Sequence, residues 1–288
     1  MPFLSHFGLR EHPFSLTPNP ALFFGGQLHR PILEMLAFAL QRGDGVLTVV
    51  GEVGTGKTML CRLLLQVLEP EAAVAYLHAP LSDETQIARD VCREFGIAVD
   101  THGDPFHLLN DFLLDQHSQG RQAVLVVDEA QALGRPGLET IHLLSNLETE
   151  TSKLLQIVLF GQQELDHLLR QHAMRQLNQR IAFRFETREL NTRDAARYVQ
   201  HRINRCSRDG EMHDMFQPAA LRMIARHSRG VPRVINILAD KALLAAYGEG
   251  SRIICRRHAI AAIDDSPSIA RPLPFLMRWT MPRAAAGA

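Results

Sequence analysis

Residues 51–58 read Gly51-Glu52-Val53-Gly54-Thr55-Gly56-Lys57-Thr58, and the stretch that encloses them decides the fold. The octet fits the pattern G-x-x-x-x-G-K-[ST] at each fixed position. It follows the strand-like Val46-Leu-Thr-Val-Val50 and precedes the helix-like Met59-Leu-Cys-Arg-Leu-Leu-Leu65. A strand, a glycine-rich turn and a helix in that order aim backbone N–H groups and the positive end of the helix at phosphate oxygens. Lys57 then reaches the outer phosphates and Thr58 offers its hydroxyl to Mg²⁺, while Met59 opens the helix at the edge of the same cradle.

A second stretch supplies what the first lacks. The apolar run Ala123-Val-Leu-Val-Val127 has the composition of a fully buried strand, and it ends on Asp128-Glu129-Ala130-Gln131. At the carboxyl end of such a strand Asp128 can hold a metal through water, and Glu129 can orient an attacking water. Each motif alone has a plainer reading: a strand-to-helix connection for the first, an ordinary helix N-terminus for the second. In this order, each with its own strand, they point to ATP as ligand, Mg²⁺ as its metal and hydrolysis as the reaction.

The pattern around them is one of alternation. Strands are expected at 46–50, 73–77, 123–127, 154–160 and 182–185, with helices at 32–41, 59–65, 84–95, 106–117, 138–148 and 163–170. That spacing implies an α/β fold with a parallel sheet covered by helices on both faces. From Thr192 onward only helices are expected, at 194–205, 218–227, 232–247 and 258–263. The implied domains are an N-terminal arm and helix of the ATPase module (1–45), its core (46–190), a small all-helical lid (191–265) and a disordered basic tail (266–288).

Composition fits this plan. The 288 residues are 46% hydrophobic and 22% charged, enough for one large α/β domain and a smaller one. The zero net charge divides unevenly: residues 191–288 carry sixteen Lys/Arg against eight Asp/Glu, so the rest is acidic by the same margin. The four cysteines show no C-x-x-C spacing, which implies neither a zinc site nor a disulfide framework. The start lacks the basic leader and apolar stretch of a signal peptide, and no run reaches the roughly 18 apolar residues of a membrane span. The expected location is therefore the cytoplasm. The tail, with three arginines and the single tryptophan, is the one segment that would touch the inner face of an anionic membrane.

Phe7-Gly-Leu-Arg-Glu-His-Pro-Phe14, Thr17-Pro-Asn-Pro20, the phosphate loop, Asp128-Glu-Ala-Gln131, Leu143-Leu-Ser-Asn-Leu-Glu-Thr149, Lys153-Leu-Leu-Gln-Ile-Val158, Gly161-Gln162, Gln179-Arg-Ile181 and Gly230-Val-Pro-Arg233 occur in that order. Over residues 7–264 the chain thereby resembles the AAA+ ATPases of the general secretion pathway protein A (ExeA) type. Members of that group serve bacterial envelope assembly, in type II secretion and in type IV pili such as the mannose-sensitive haemagglutinin (MSHA) pilus. The secretion members continue past the helical domain into a membrane span and a peptidoglycan-binding domain, so a chain ending at Ala288 looks more like the short pilus-biogenesis branch (MshM type).

The resemblance implies further site residues. Gln162 falls where the group places a polar sensor of the outermost phosphate, with a plain turn residue as the alternative. Arg180 falls where an arginine finger would reach a neighbouring subunit's nucleotide, with Arg175 as the other candidate finger and a structural ion pair as the plain reading. Arg233, after Pro232 at a helix start, resembles the second sensor. Phe14 and Pro18 lie where the group wraps the adenine; the alternative is an arm packed on the sheet. His142 and Gln163 depart from the group's usual Arg and Pro, which puts contacts through that face in doubt. The implied partners are other copies of the chain and a protein of a pilus or secretion system. Two rival readings stay open: a DNA-dependent switch of the transposition-regulator type, to which the basic C-terminal third is suited, and an ATP-gated scaffold with little turnover.

Overall fold

A computed structural model describes residues 2–26, 29–69, 71–78, 84–100, 103–208 and 214–266. The tail expectation for 267–288 lies outside them. The chain divides into two compact units, Thr17–Arg188 and Met1–Leu16 with Glu189–Ala288.

The first unit is a sheet with helices on both faces. In chain order it contains α2 (His29–Arg42), β1 (Val46–Gly51), α3 (Lys57–Leu68), β2 (Ala72–His78), α4 (Glu84–Glu94) and α5 (Pro105–Ser118). There follow β3 (Gln122–Asp128), α6 (Gly134–Leu144), β4 (Leu155–Gly161), α7 (Gln163–Leu169), α8 (Arg175–Arg180) and β5 (Ile181–Thr187). The strands lie in the order β2-β3-β4-β1-β5 and every pair is parallel. A parallel sheet of this kind must be covered twice, and side-chain alternation shows how. On β3, Leu125 and Val127 join a core with Ile87, Leu109, Leu138 and Ile141 of α4, α5 and α6. Val124 and Val126 face the other way, onto Leu36 of α2 and Leu60 and Leu64 of α3.

This order places β1 in contact with both β4 and β5, with Val50 beside Gly161 and Gly51 beside Thr187. The carboxyl ends of β1, β3 and β4 therefore meet at one edge, where a parallel sheet collects its ligand.

The second unit packs α9 (Thr192–Cys206), α10 (Pro218–His227), α11 (Pro232–Gly248) and α12 (Arg256–Asp264). The first sixteen residues, including α1 (Pro2–His6), belong to it and not to the ATPase module where they were expected. The reason is a set of bonds across the chain's length. Arg10 N–H donates to the Cys206 carbonyl at 2.8 Å, Arg208 N–H donates to the Gly8 carbonyl at 3.0 Å, and the Arg202 guanidinium donates to the Pro13 carbonyl.

A second difference concerns α6. It was expected at 138–148 but runs from Gly134 to Leu144, because Pro136 suits a first turn and the Ser145 N–H closes the last one on Ile141 O at 2.9 Å. Residues 145–154 then form a connection closed by the Glu148–Lys153 bridge. Among the described residues no helix is long and apolar enough to cross a membrane. All four cysteines are free; three are buried, and burial pushes the Cys92 and Cys206 thiols up to about 11, so neither is a nucleophile.

Candidate nucleotide site

The loop between β1 and α3 has the backbone that phosphate binding needs. Gly54 and Gly56 take positive φ, 81° and 106°, which an L side chain resists. A Cβ at Gly56 would also stand 3.0 Å from His29 Nε2. Gly56 caps α3 without any side-chain acceptor, so the first-turn N–H groups of the helix are left for an anion. His29, buried at the start of α2, braces the loop from outside by contacting the Thr55 carbonyl at 2.7 Å. Burial lowers its pKa, and the neutral ring then donates through Nε2–H. Glu52 and Val53 are exposed at the loop tip, and Met59 is half-buried in the first turn of α3.

Lys57 is only 5% exposed, and its ammonium donates to the Gly51 and Glu52 carbonyls at 2.8 and 3.0 Å. Burial lowers its pKa, opposed by the charges of Glu129, Asp128, Glu52 and Glu164. The amine is thus held over the loop by weak carbonyl partners that a phosphate can replace.

Asp128 ends β3 fully buried. Its Oδ1 accepts the Glu129 N–H at 3.0 Å, while Oδ2 has no hydrogen-bond partner. The His78 ring is 3.9 Å from that oxygen. Burial raises the Asp128 pKa; the Glu129 N–H opposes the rise, the Glu129 charge adds to it, and His78 and the Thr58 side chain pull it back. A buried carboxylate oxygen without a partner, beside a threonine hydroxyl, is a hard-oxygen donor set that fits Mg²⁺. Among the described residues no group of three or more His, Cys, Asp or Glu could cage a metal by itself, so the ion would keep waters and substrate oxygens as ligands.

Glu129 stands in the left-handed region at φ 54°. Its Oε2 accepts two amide hydrogens, from Gln131 Nε2 at 2.5 Å and from Gln162 Nε2 at 3.0 Å. Burial raises its pKa, but the bonds from Gln162 and Gln131 and the charges of Lys57 and His78 outweigh this and hold the carboxyl below its ordinary value. Gln162, directly after β4, is thus brought to Glu129 as expected from its position. Gln131 joins the site although the sequence motif assigns it no role; its spacing two residues after Glu129 is the local signal for it.

The remaining candidates are spread more widely. The Pro18 carbonyl accepts from Arg62 Nη1 of α3 at 2.6 Å, which ties that segment to the helix behind the loop. Phe14 is 2% exposed in the other unit, edge-on to Phe216 with centroids 6.1 Å apart. A ring so enclosed has no face left for a base; its partner Phe216 lies in the bridge to Ile254. Arg233 is exposed in the first turn of α11, after buried Pro232 at N1. Arg180 donates to the Ser145 carbonyl at 2.9 Å and lies 3.8 Å from Glu148. It precedes β5 at the end where Ile181 pairs with Val46, five residues from Gly51 along β1, or about 17 Å. Arg180 therefore sits at the wrong end of the sheet to serve the loop of its own subunit.

The family described as an AAA domain matches residues 40–169. General secretion pathway protein A of Aeromonas hydrophila is 41% identical over 255 residues, which are 88% of this chain and 46% of that protein. The chain belongs to the AAA+ ATPases of the general secretion pathway protein A type. It spans about half the length of the curated relative it matches. Among solved structures, the chain is similar to the Aeropyrum pernix ORC2 protein in its ADPNP–ADP complexes, with TM-score 0.69, 18% identity, and coverage of 88% of this chain and 71% of that one. Cdc6p from Pyrobaculum aerophilum gives 0.66 at 18% identity, covering 94% and 74%. The RuvB Holliday junction branch migration motor of Thermotoga maritima gives 0.57 at 16%, covering 82% and 67%. At these identities the likeness is one of fold. The AAA+ module is a nucleotide-binding one, as its family and loop agree.

Proposed function

We propose that this AAA+ module binds ATP with Mg²⁺ on residues 51–59, hydrolyses it, and couples turnover to assembly of a bacterial type IV pilus of the MSHA kind or of a type II secretion apparatus. One observation carries the hydrolytic part: a carboxylate, Glu129, held by two amides next to a buried aspartate oxygen that lacks a partner. A scaffold that only bound nucleotide would have no use for that pair. The envelope role rests on the 41% identity to general secretion pathway protein A.

In the reaction, the α3 N–H groups and Lys57 receive the phosphates, and Thr58 and Asp128 hold the metal, which when bound neutralises the charge developing on the phosphate oxygens. Glu129, ionised and fixed through Oε2, orients the attacking water and takes its proton. Gln162, bonded to the same oxygen, senses the outermost phosphate. Charge on the leaving group is met from a neighbouring copy, by Arg180 or by Arg175, so the working form is a homo-oligomer placed at the inner face of the cytoplasmic membrane. Arg233 is the second sensor.

A DNA-dependent switch is the second reading, and a specific observation favours it. Arg222, Arg226, Arg229 and Arg256 are exposed, line one groove of the helical unit and form no ion pair among the described residues. ATP turnover per subunit, measured across protein concentration with and without duplex DNA, separates the two. A rate that rises with concentration and ignores DNA supports the proposal; a rate that requires DNA replaces it with the switch; no turnover, with nucleotide-dependent oligomers, replaces it with a scaffold.

A further inference from the structure

Gln131 lies in the short turn Ala130–Leu133 that follows β3 and Glu129. Both ends of its side-chain amide are engaged. Nε2 donates to Glu129 Oε2 at 2.5 Å, and Oε1 accepts the backbone N–H of Gln162 at 3.0 Å. The Gln162 side chain then returns to the same Glu129 oxygen at 3.0 Å. Three residues from the ends of two adjacent strands thus form a closed ring of hydrogen bonds around one carboxylate oxygen.

The orientation of the Gln131 amide follows from chemistry. Turned over, its oxygen would face a carboxylate and its NH₂ would face an N–H group, two repulsive contacts in place of two bonds. The surroundings are shaped for it as well. A Cβ on Gly161 would stand 3.0 Å from Gln131 Oε1 and 2.6 Å from Leu165 Cδ2, so the strand end is kept bare where the amide passes. Glu129 itself occupies a backbone region that a residue with a side chain enters at a cost, which the ring helps to offset.

We propose that Gln131 is the positioning residue of this ATPase: it fixes the Glu129 carboxylate through Oε2, leaves Oε1 for the attacking water, and locks Gln162 to the same point. The inference rests on the proposed role of Glu129 as the base. Gln131 acts through Glu129 and makes no contact with nucleotide. Its removal leaves Glu129 on one donor and the Gln162 N–H without an acceptor. A base displaced by an ångström costs up to about 10²-fold in rate while leaving the phosphate cradle intact.

The test uses the full chain with Gln131→Met, which keeps length and loses both polar ends, and Gln131→Glu, which keeps the acceptor for Gln162 and replaces the donor with a second carboxylate. For both, kcat should fall about 10- to 100-fold while KM and the equilibrium Kd for ATP stay within about threefold. A kcat within twofold of the parent, or a Kd weakened in proportion to kcat, overturns the proposal. A second readout needs no turnover: urea unfolding of Gln131→Met, Glu129→Met and the double variant. A double variant destabilised by less than the sum of the singles supports the ring, and strict additivity overturns it. If the parent hydrolyses nothing, the ATPase reading fails on its own and the unfolding cycle alone decides whether Gln131 holds Glu129.

Discussion

The hydroxyl oxygens of Thr55 and Thr187 are 2.7 Å apart, which joins the phosphate loop to the last residue of β5. Thr55 also donates to the Glu52 carbonyl at 2.7 Å. Each hydroxyl has one proton, so with that of Thr55 committed to Glu52 the Thr187 proton goes to Thr55 at 2.7 Å, the shorter of its two contacts, the other being the Val50 carbonyl at 3.4 Å. The clasp sits just before the boundary at Arg188, beyond which Leu190 N–H is bonded to Gly230 O at 2.9 Å. Thr187→Val keeps the shape and removes the bond. At about 1 kcal/mol for such a bond, ATP affinity should weaken about fivefold in equilibrium titration; an unchanged Kd would show that the clasp does not shape the loop.

Lys57 and Glu129 should separate binding from chemistry. Lys57→Ala removes the ammonium over the loop, and ATP binding should fall by at least about 100-fold, the scale of losing a charge-assisted phosphate contact in a partly dry site. Glu129→Gln retains the shape and one acceptor oxygen for the two amides, so ATP should bind as in the parent. Turnover should drop by about 10²- to 10⁴-fold, the contribution of a positioned base. Normal turnover in Glu129→Gln would sink the assigned mechanism.

The sheet and its helices were legible because their apolar periods are strong: β3 was expected at 123–127 and runs from Gln122 to Asp128. The strand order was not, since nothing local in Val46–Gly51 says that its neighbours are Leu155–Gly161 and Ile181–Thr187. The α6 boundary was missed because Leu143, Leu144 and Leu147 continue a helical period past the point where Ser145 ends the helix. The arm of residues 2–16 was placed with the wrong unit for a similar reason: Leu9 is buried by a bridge to Ser207, a partner that no local pattern announces. At the site, the motif residues could be assigned from spacing, whereas the Gln131 ring depends on β3 and β4 being adjacent, which only the fold supplies.

Arg175 and Arg180 can be told apart by what each already does. Arg180 is bonded to Ser145 O and faces Glu148, whereas Arg175 is exposed and makes no ion pair among the described residues. If Arg175 is the finger, Arg175→Ala should lower turnover about 10³-fold at concentrations where the oligomer forms, with ATP affinity unchanged. Arg180→Ala should then mainly lower stability, by about 1–2 kcal/mol for a lost bond from a charged group. Mixing each variant with Glu129→Gln subunits supplies the check. Activity regained in the mixture identifies a residue that works across the interface, and regain with Arg180→Ala but not with Arg175→Ala would reverse the assignment.

Asp128 should be a liability to the folded chain whenever no cation is bound. Its native pKa is raised by burial, so the native state holds this proton more tightly than the unfolded chain does. Stability contributed by the protonated form is therefore present at low pH and is lost as pH rises from the ordinary carboxylate value through the raised native one. At neutral pH the ionised group, with Oδ2 unpartnered, weakens the fold. Asp128→Asn removes the charge at constant shape, and without nucleotide it should raise stability by about 1–3 kcal/mol at pH 7, the cost of a buried unsatisfied group. The gain should shrink as the pH is lowered, because the parent then acquires the proton that the variant never needs. With ATP and Mg²⁺ the order should invert: the parent gains stability that a chelator abolishes, and Asp128→Asn gains little. Urea unfolding at pH 5 and pH 7, without nucleotide and with ATP plus either Mg²⁺ or chelator, reads each of these states. A variant less stable than the parent without nucleotide would mean that Asp128 is held by the fold for its own sake and not for a metal.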